Sequence, residues 1–432
     1  MHKKIILAIE IYLTVTVILF LFGPVLYPAV NRWQTLAFLT FYQLALFLGF
    51  YIGEKHTKIT KRITVKPIAN VNSNLLIALF LLLNLFFSFA LIQQKIGVPS
   101  LSGLISAFQN SIRNAGQAYR MTLEGSDNAE SSLLTTLNTL LSPLTYAIFP
   151  YCIYFYKKID VGNKALLFLA ITMSVVSNIL TGTNVGIFRL IITIATILLV
   201  KGWAREQKSV YTEKKLKKRS SKNIVVAILL FVFITIFSNN VTSRMQGMGY
   251  TISGLRIDYQ NWLFQLTPAF LHRPILLATF YISQGYYGMS LAFDFIWRPT
   301  FFLGNSSFLI QKSNMLGLDS SAIFSRTYIS QMSHLWHPGV NWHTAYTWLA
   351  NDLSFYGVVV YIFLLGFFLS VLIKEASKGE VLALILLPLF FMMVIFLPMN
   401  NNILGNPLTF MPLVLFTILH VLHKKIYLTR KN

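Results

Sequence analysis

Apolar residues come in ten long runs along most of this 432-residue chain, with polar stretches between them. The runs fall at about 5–23, 34–53, 75–92, 133–156, 165–181, 185–200, 224–239, 354–373, 381–397 and 408–423. A helix needs about 17–25 apolar residues to cross a bilayer, and most of these runs have that length. The pattern predicts an all-α, polytopic helical membrane protein of about ten to twelve transmembrane helices with one large outer loop. It divides the chain into an N-terminal bundle over 1–239, a large extracytoplasmic loop over 240–353, and a C-terminal bundle over 354–432.

One run is ambiguous. Pro274 to Trp297 is apolar enough to span, yet a single extra crossing would invert everything after it. The stretch therefore lies at the interface, re-enters from the same side, or pairs with a short span near Trp262–Leu271. Gln284, Gly285, Gly288 and Asp294 within it suit contact with protein or water better than with lipid. Leu101, Leu104, Ile105, Phe108 and Ile112 recur at helical spacing and predict an amphipathic surface helix with Arg113 and Arg120 at its polar end.

Composition agrees with a membrane. The chain is 55% hydrophobic and 12% charged, against about 25% charged in soluble domains. The net charge of +22 raises nucleic acid as a partner, but its distribution points to lipid instead. Twenty-five of the 36 basic residues fall on the side that holds both termini. By the positive-inside rule that side is cytoplasmic. The inner set has 21 Lys and 4 Arg, whereas nine of the other 11 are Arg. Topology needs only positive charge, so it does not explain the split. Arg grips phosphate bidentately; it also tolerates partial burial better than Lys, and both readings stand. Cys152 is the one cysteine and has no partner for a disulfide.

Chemistry concentrates between Asn240 and Asp352. This segment holds five of the seven Trp and half of the His. Arg244, Arg256 and Arg273 follow the seventh run closely, and Arg189 sits within the sixth. An ionisable side chain there is costly unless paired or wet. The four are candidates for binding a pyrophosphate, although interfacial snorkelling explains Arg189 equally well. In HLWHPGVNWHTAYTWLAND, His337, His343 and Asp352 are candidate proton acceptors. His343, Tyr346 and Ala350 would share one helical face. Trp342, Tyr346 and Trp348 are candidate sugar platforms, though Trp and Tyr also belong at membrane interfaces. The His spacing fits no standard zinc pattern, and the reading includes neither metal nor cofactor.

The segment WHTAYTWLANDLSFYG, Trp342–Gly357, resembles a stretch of the bacterial polysaccharide repeat-unit polymerases, the Wzy type, and more distantly of the O-antigen ligases. LTGTNVGIFR resembles another motif of that family, with Asn184 where Arg is expected and Arg coming later as Arg189. YISQGYYGMSLAF, Tyr281–Phe293, is similar to the stretch before the final catalytic loop. The resemblance implies transfer of a glycan from undecaprenyl pyrophosphate to a sugar hydroxyl of another lipid-linked repeat unit. It places the chain in capsule, exopolysaccharide or O-antigen synthesis at a bacterial inner membrane. On that match His343 takes the catalytic His position, with Asp352 and Gly357 after it. Expected partners are the undecaprenyl-pyrophosphate-linked oligosaccharide, membrane lipids and a chain-length regulator. A polysaccharide ligase would share the fold and differ in acceptor. A lipid-linked oligosaccharide flippase would have more spans and no such loop.

Overall fold

The computed structural model describes residues 2–56, 71–97, 100–118, 133–209 and 251–429. The run expected at 224–239 and the candidate Arg244, like Arg120, lie outside the described residues. The long helices are α1 (His2–Phe22), α2 (Arg32–His56), α3 (Val71–Ile96), α4 (Leu101–Arg113), α5 (Leu133–Phe155), α6 (Val161–Leu180) and α7 (Val185–Ser209). After them come α8 (Ala269–Ala292), α9 (Ala345–Ser377), α10 (Val381–Phe396) and α11 (Pro407–Thr429).

Seven of the described helices are long and apolar enough to cross a membrane: α1, α2, α3, α6, α7, α9 and α11. The protein is a mostly helical, polytopic membrane protein. Helix α10 is apolar but only 16 residues long, and α5 carries Pro143 and Pro150. Helix α8 is continuous across the ambiguous Pro274 region, and its composition keeps it out of the seven.

Two compact units form. The first takes the described residues of Met1–Lys61, Met248–Lys374 and Phe390–Phe410. Here α1 packs on α8, and Thr16 and Tyr286 share a buried hydroxyl–hydroxyl bond of 2.8 Å. Tyr27 reaches Ser283 at 3.0 Å. A small antiparallel sheet of β1 (Val25–Leu26), β2 (Thr251–Ile252) and β3 (Leu255–Ile257), in the order β1-β3-β2, closes one end. Ser253 and Gly254 both have positive φ and make the two-residue hairpin turn. Helix α2 approaches α9 closely: a Cβ on Gly49 would sit 1.9 Å from the Phe363 carbonyl oxygen, and one on Gly366 2.2 Å from that of Leu46. Gly49 and Gly53 form the small-xxx-small spacing that lets membrane helices meet backbone to backbone.

Helix α9 begins at Ala345 and not at about 354. Thr344 caps it, accepting the Thr347 N–H at 3.0 Å. Thr347, Asn351 and Asp352 in its first turns bond to protein, so low local hydropathy does not stop the helix. Ser354 breaks it, with φ 56° and ψ 167°, and the Tyr42 hydroxyl donates to the next carbonyl, that of Phe355, at 2.9 Å.

The second unit takes the described residues of Arg62–Gly247, Glu375–Leu389 and Met411–Asn432. Its core joins Ile77 and Leu81 of α3, Ile148 and Cys152 of α5, and Leu167 and Ala170 of α6. Helix α6 starts at Asp160, whose carboxylate accepts the Asn163 N–H at 2.7 Å. Ser100 caps α4 in the same way, through the Gly103 N–H at 3.1 Å.

Candidate functional site

The segment from Phe295 to Thr344 folds as short helices and turns around the first half of α9. Asp352 organises it. Its carboxylate accepts from Thr300 Oγ1 at 2.5 Å, from the Asn305 N–H at 2.7 Å and from the Asn305 side-chain amide at 2.7 Å. The adjacent Asn351 donates to the Gly304 carbonyl at 2.8 Å, and its own oxygen accepts the Tyr328 N–H at 2.9 Å. These bonds hold a loop in which Phe301 and Phe302 both adopt left-handed φ, 55° and 64°, a strained conformation for bulky residues. Both rings are exposed.

His343 precedes the helix, so the expected common face with Tyr346 and Ala350 does not form. The ring is packed against Gly288 of α8 and against Trp336, and the residue is 2% exposed. Neither nitrogen makes a hydrogen bond of good geometry among the described residues. Burial pushes its pKa down to about 3, offset slightly by the nearby Trp336 backbone, so the ring is neutral. Trp336 donates its indole N–H to the Trp342 carbonyl at 3.1 Å, and the Trp342 N–H donates to Gln284 at 3.0 Å. The Trp336–Trp342 turn is thereby fastened over His343 and onto α8. Gln284 is buried against protein.

His337 is exposed on that turn. Its Nδ1 accepts the Gly339 N–H at 3.1 Å. Tyr346 is 2% exposed and stacks on Tyr42 with ring centres 4.6 Å apart. In this conformation it offers no face to a sugar. Trp342 is half-buried and meets Tyr281 edge-on at 4.7 Å.

Trp348 differs from both. It lines a cavity of about 300 Å³ together with Ser307, Gln311, Ser320, Ser321 and Phe324. Its indole N–H is buried with no hydrogen-bond partner among the described residues. Asp319 caps the helix that carries the serines, accepting the Ser321 N–H at 2.8 Å and its hydroxyl at 2.6 Å. Those bonds keep the Asp319 carboxyl below its usual range. The exposed lining is mostly apolar, and its size and aromatic wall suit a small ring that can lie on an aromatic face.

The arginines divide. Arg256 on β3 and Arg273 on α8 are exposed in the first unit, and Arg326 lies over the Phe301 ring at 5.4 Å. Arg189 lies in α7 of the second unit. The glycine beside it, Gly186, faces the Asn178 side chain, where a Cβ would come within 2.2 Å. That glycine serves the α6–α7 turn. The Ser/Gln lining of the cavity and the Asn351–Asp352 network were not anticipated from sequence, because their members are scattered singly over more than forty residues.

No family model matches this chain, and no curated protein or solved structure does.

Proposed function

We propose that this chain polymerises lipid-linked oligosaccharide repeat units at a bacterial inner membrane. A glycan would pass from undecaprenyl pyrophosphate to a sugar hydroxyl of a second lipid-linked unit. The observation that carries the reading is the Trp348 cavity, a largely apolar pocket with an aromatic wall on which a sugar ring can stack. In this account it receives the acceptor sugar. The exposed Arg256 and Arg273 bind the pyrophosphate and stabilise it as it leaves. His343 removes the hydroxyl proton. Its ring is neutral, but burial shields it and leaves it a weak base until it is uncovered. Moving the turn that carries Trp336 is therefore part of the reaction. Asp352 positions this frame through the Thr300–Asn305 loop. The lysine distribution supports cytoplasmic termini, a ten-to-twelve-span topology and an outward-facing site.

Gel profiling of surface polysaccharide in a deletion strain tests the reading. Single repeat units in place of long chains, restored to long chains by the wild-type gene, are expected. Loss of every outward-facing repeat unit would instead identify a flippase. Normal chains left unattached to their final acceptor would identify a ligase.

A further inference from the structure

The second unit contains a buried cluster unrelated to the candidate site. Glu375 lies at the end of α9, Glu380 just before α10, and His420 within α11, each 8% exposed. The turn between the glutamates is fixed by Gly379, with φ 87°, and by the Glu380 N–H donating to the Glu375 carbonyl at 3.2 Å. Glu380 also caps α10, accepting the Leu382 N–H at 3.2 Å. His420 Nε2 lies 3.0 Å from Glu375 Oε2, and its Nδ1 lies 3.7 Å from Glu380 Oε2. Despite the 3.0 Å separation, neither His420 Nε2 nor Glu375 Oε2 makes a hydrogen bond of acceptable geometry.

We propose that Glu375, Glu380 and His420 bind a divalent transition-metal ion of the zinc type. One ligand atom from each lies within 4.8 Å of the others. Around a tetrahedral zinc, with bonds of about 2.0–2.2 Å, ligand atoms sit roughly 3.3–3.5 Å apart. Glu375 Oε2 and His420 Nε2 are near that spacing already; Glu380 Oε2, which lies on the Nδ1 side of the ring and accepts the Ala383 N–H at 2.5 Å, must turn from its helix cap to join them. Lys424 Nζ, 2.5 Å from Glu375 Oε1, holds that carboxylate so that Oε2 turns to the ion, as outer partners of metal ligands do. Imidazole nitrogen with carboxylate oxygen suits zinc, and manganese is the weaker competitor. The ion would join the ends of α9, α10 and α11.

The test uses the full chain in detergent without a histidine tag, stripped with a chelator and titrated with zinc chloride and, separately, manganese chloride. One zinc per chain is expected, with a rise in thermal stability and weaker binding of manganese. Glu380→Gln and His420→Gln are expected to weaken zinc by about 100-fold or more, while His423→Ala, at an exposed neighbour, leaves it unchanged. X-ray absorption of the wild-type zinc complex is expected to show mixed nitrogen and oxygen ligands, a readout independent of how the variants fold. Absence of stoichiometric zinc, equal binding by the ligand variants, or sulfur in the coordination shell would overturn the proposal.

Discussion

Asp352 receives two hydrogen bonds from a single residue, Asn305, through its backbone N–H and its side-chain amide, each at 2.7 Å. Thr300 adds a third at 2.5 Å. One carboxylate on α9 thus holds a loop whose two phenylalanines have left-handed backbones. Asp352→Ala orphans these donors and is expected to cost about 3 kcal/mol. Asp352→Asn keeps the shape but turns one acceptor into a donor, so it should fall between. Thermal unfolding of the purified protein orders the three; equal stability of Asp352→Ala and wild type would show that the loop holds itself.

The α2–α9 contact makes a sharper steric claim. Gly49→Leu places a Cβ where the Phe363 carbonyl oxygen lies 1.9 Å away, so the helices must part. A loss of about 3 kcal/mol is expected. Gly202 has open space around it, and Gly202→Ala in α7 should be neutral or stabilise by up to about 1 kcal/mol. Comparable melting of both variants would contradict the packing described.

His343 gives a pH prediction. Its folded pKa is depressed to about 3 from 6.5. The unfolded chain therefore takes up a proton first as pH falls. The stability contributed by the neutral buried ring is complete above about pH 6.5 and declines as pH drops toward 3. Between pH 7.5 and pH 5 the loss from this group is on the order of 2 kcal/mol. His343→Gln should melt with a correspondingly flatter acid slope. Parallel slopes in the two proteins would place the acid sensitivity elsewhere.

The Trp348 cavity predicts a graded effect on acceptor binding. Trp348→Phe retains a smaller aromatic wall and should weaken acceptor binding by less than about tenfold. Trp348→Ala removes the wall and should weaken it further. Trp342→Phe leaves the Gln284 bond intact, because that bond uses the Trp342 backbone, and should change acceptor binding little. Apparent affinity for a synthetic lipid-linked acceptor separates them.

The membrane helices were legible because each is a continuous apolar run; α1 and α2 end within a few residues of their expected bounds. The start of α9 was not, since Thr344 caps a polar first turn whose partners come from distant segments. The same holds for the candidate site. Trp348 was visible as an aromatic residue, but its serine and glutamine neighbours are ordinary residues gathered by folding. Tyr346 looked like a sugar platform and stacks on Tyr42. The Gly49-xxx-Gly53 contact emerged only in the fold, where both glycines meet the Phe363–Phe367 backbone of α9. Glu375, Glu380 and His420 come together only because three helix ends meet.

The central claim is transfer between lipid-linked sugars without another enzyme. The purified chain in liposomes, given one synthetic undecaprenyl-pyrophosphate-linked repeat unit, is the direct measurement. A ladder of glycans with release of one undecaprenyl pyrophosphate per bond formed is expected, abolished by His343→Gln. Unchanged single units with the wild-type chain, or their mere appearance in the opposite leaflet, would contradict the account.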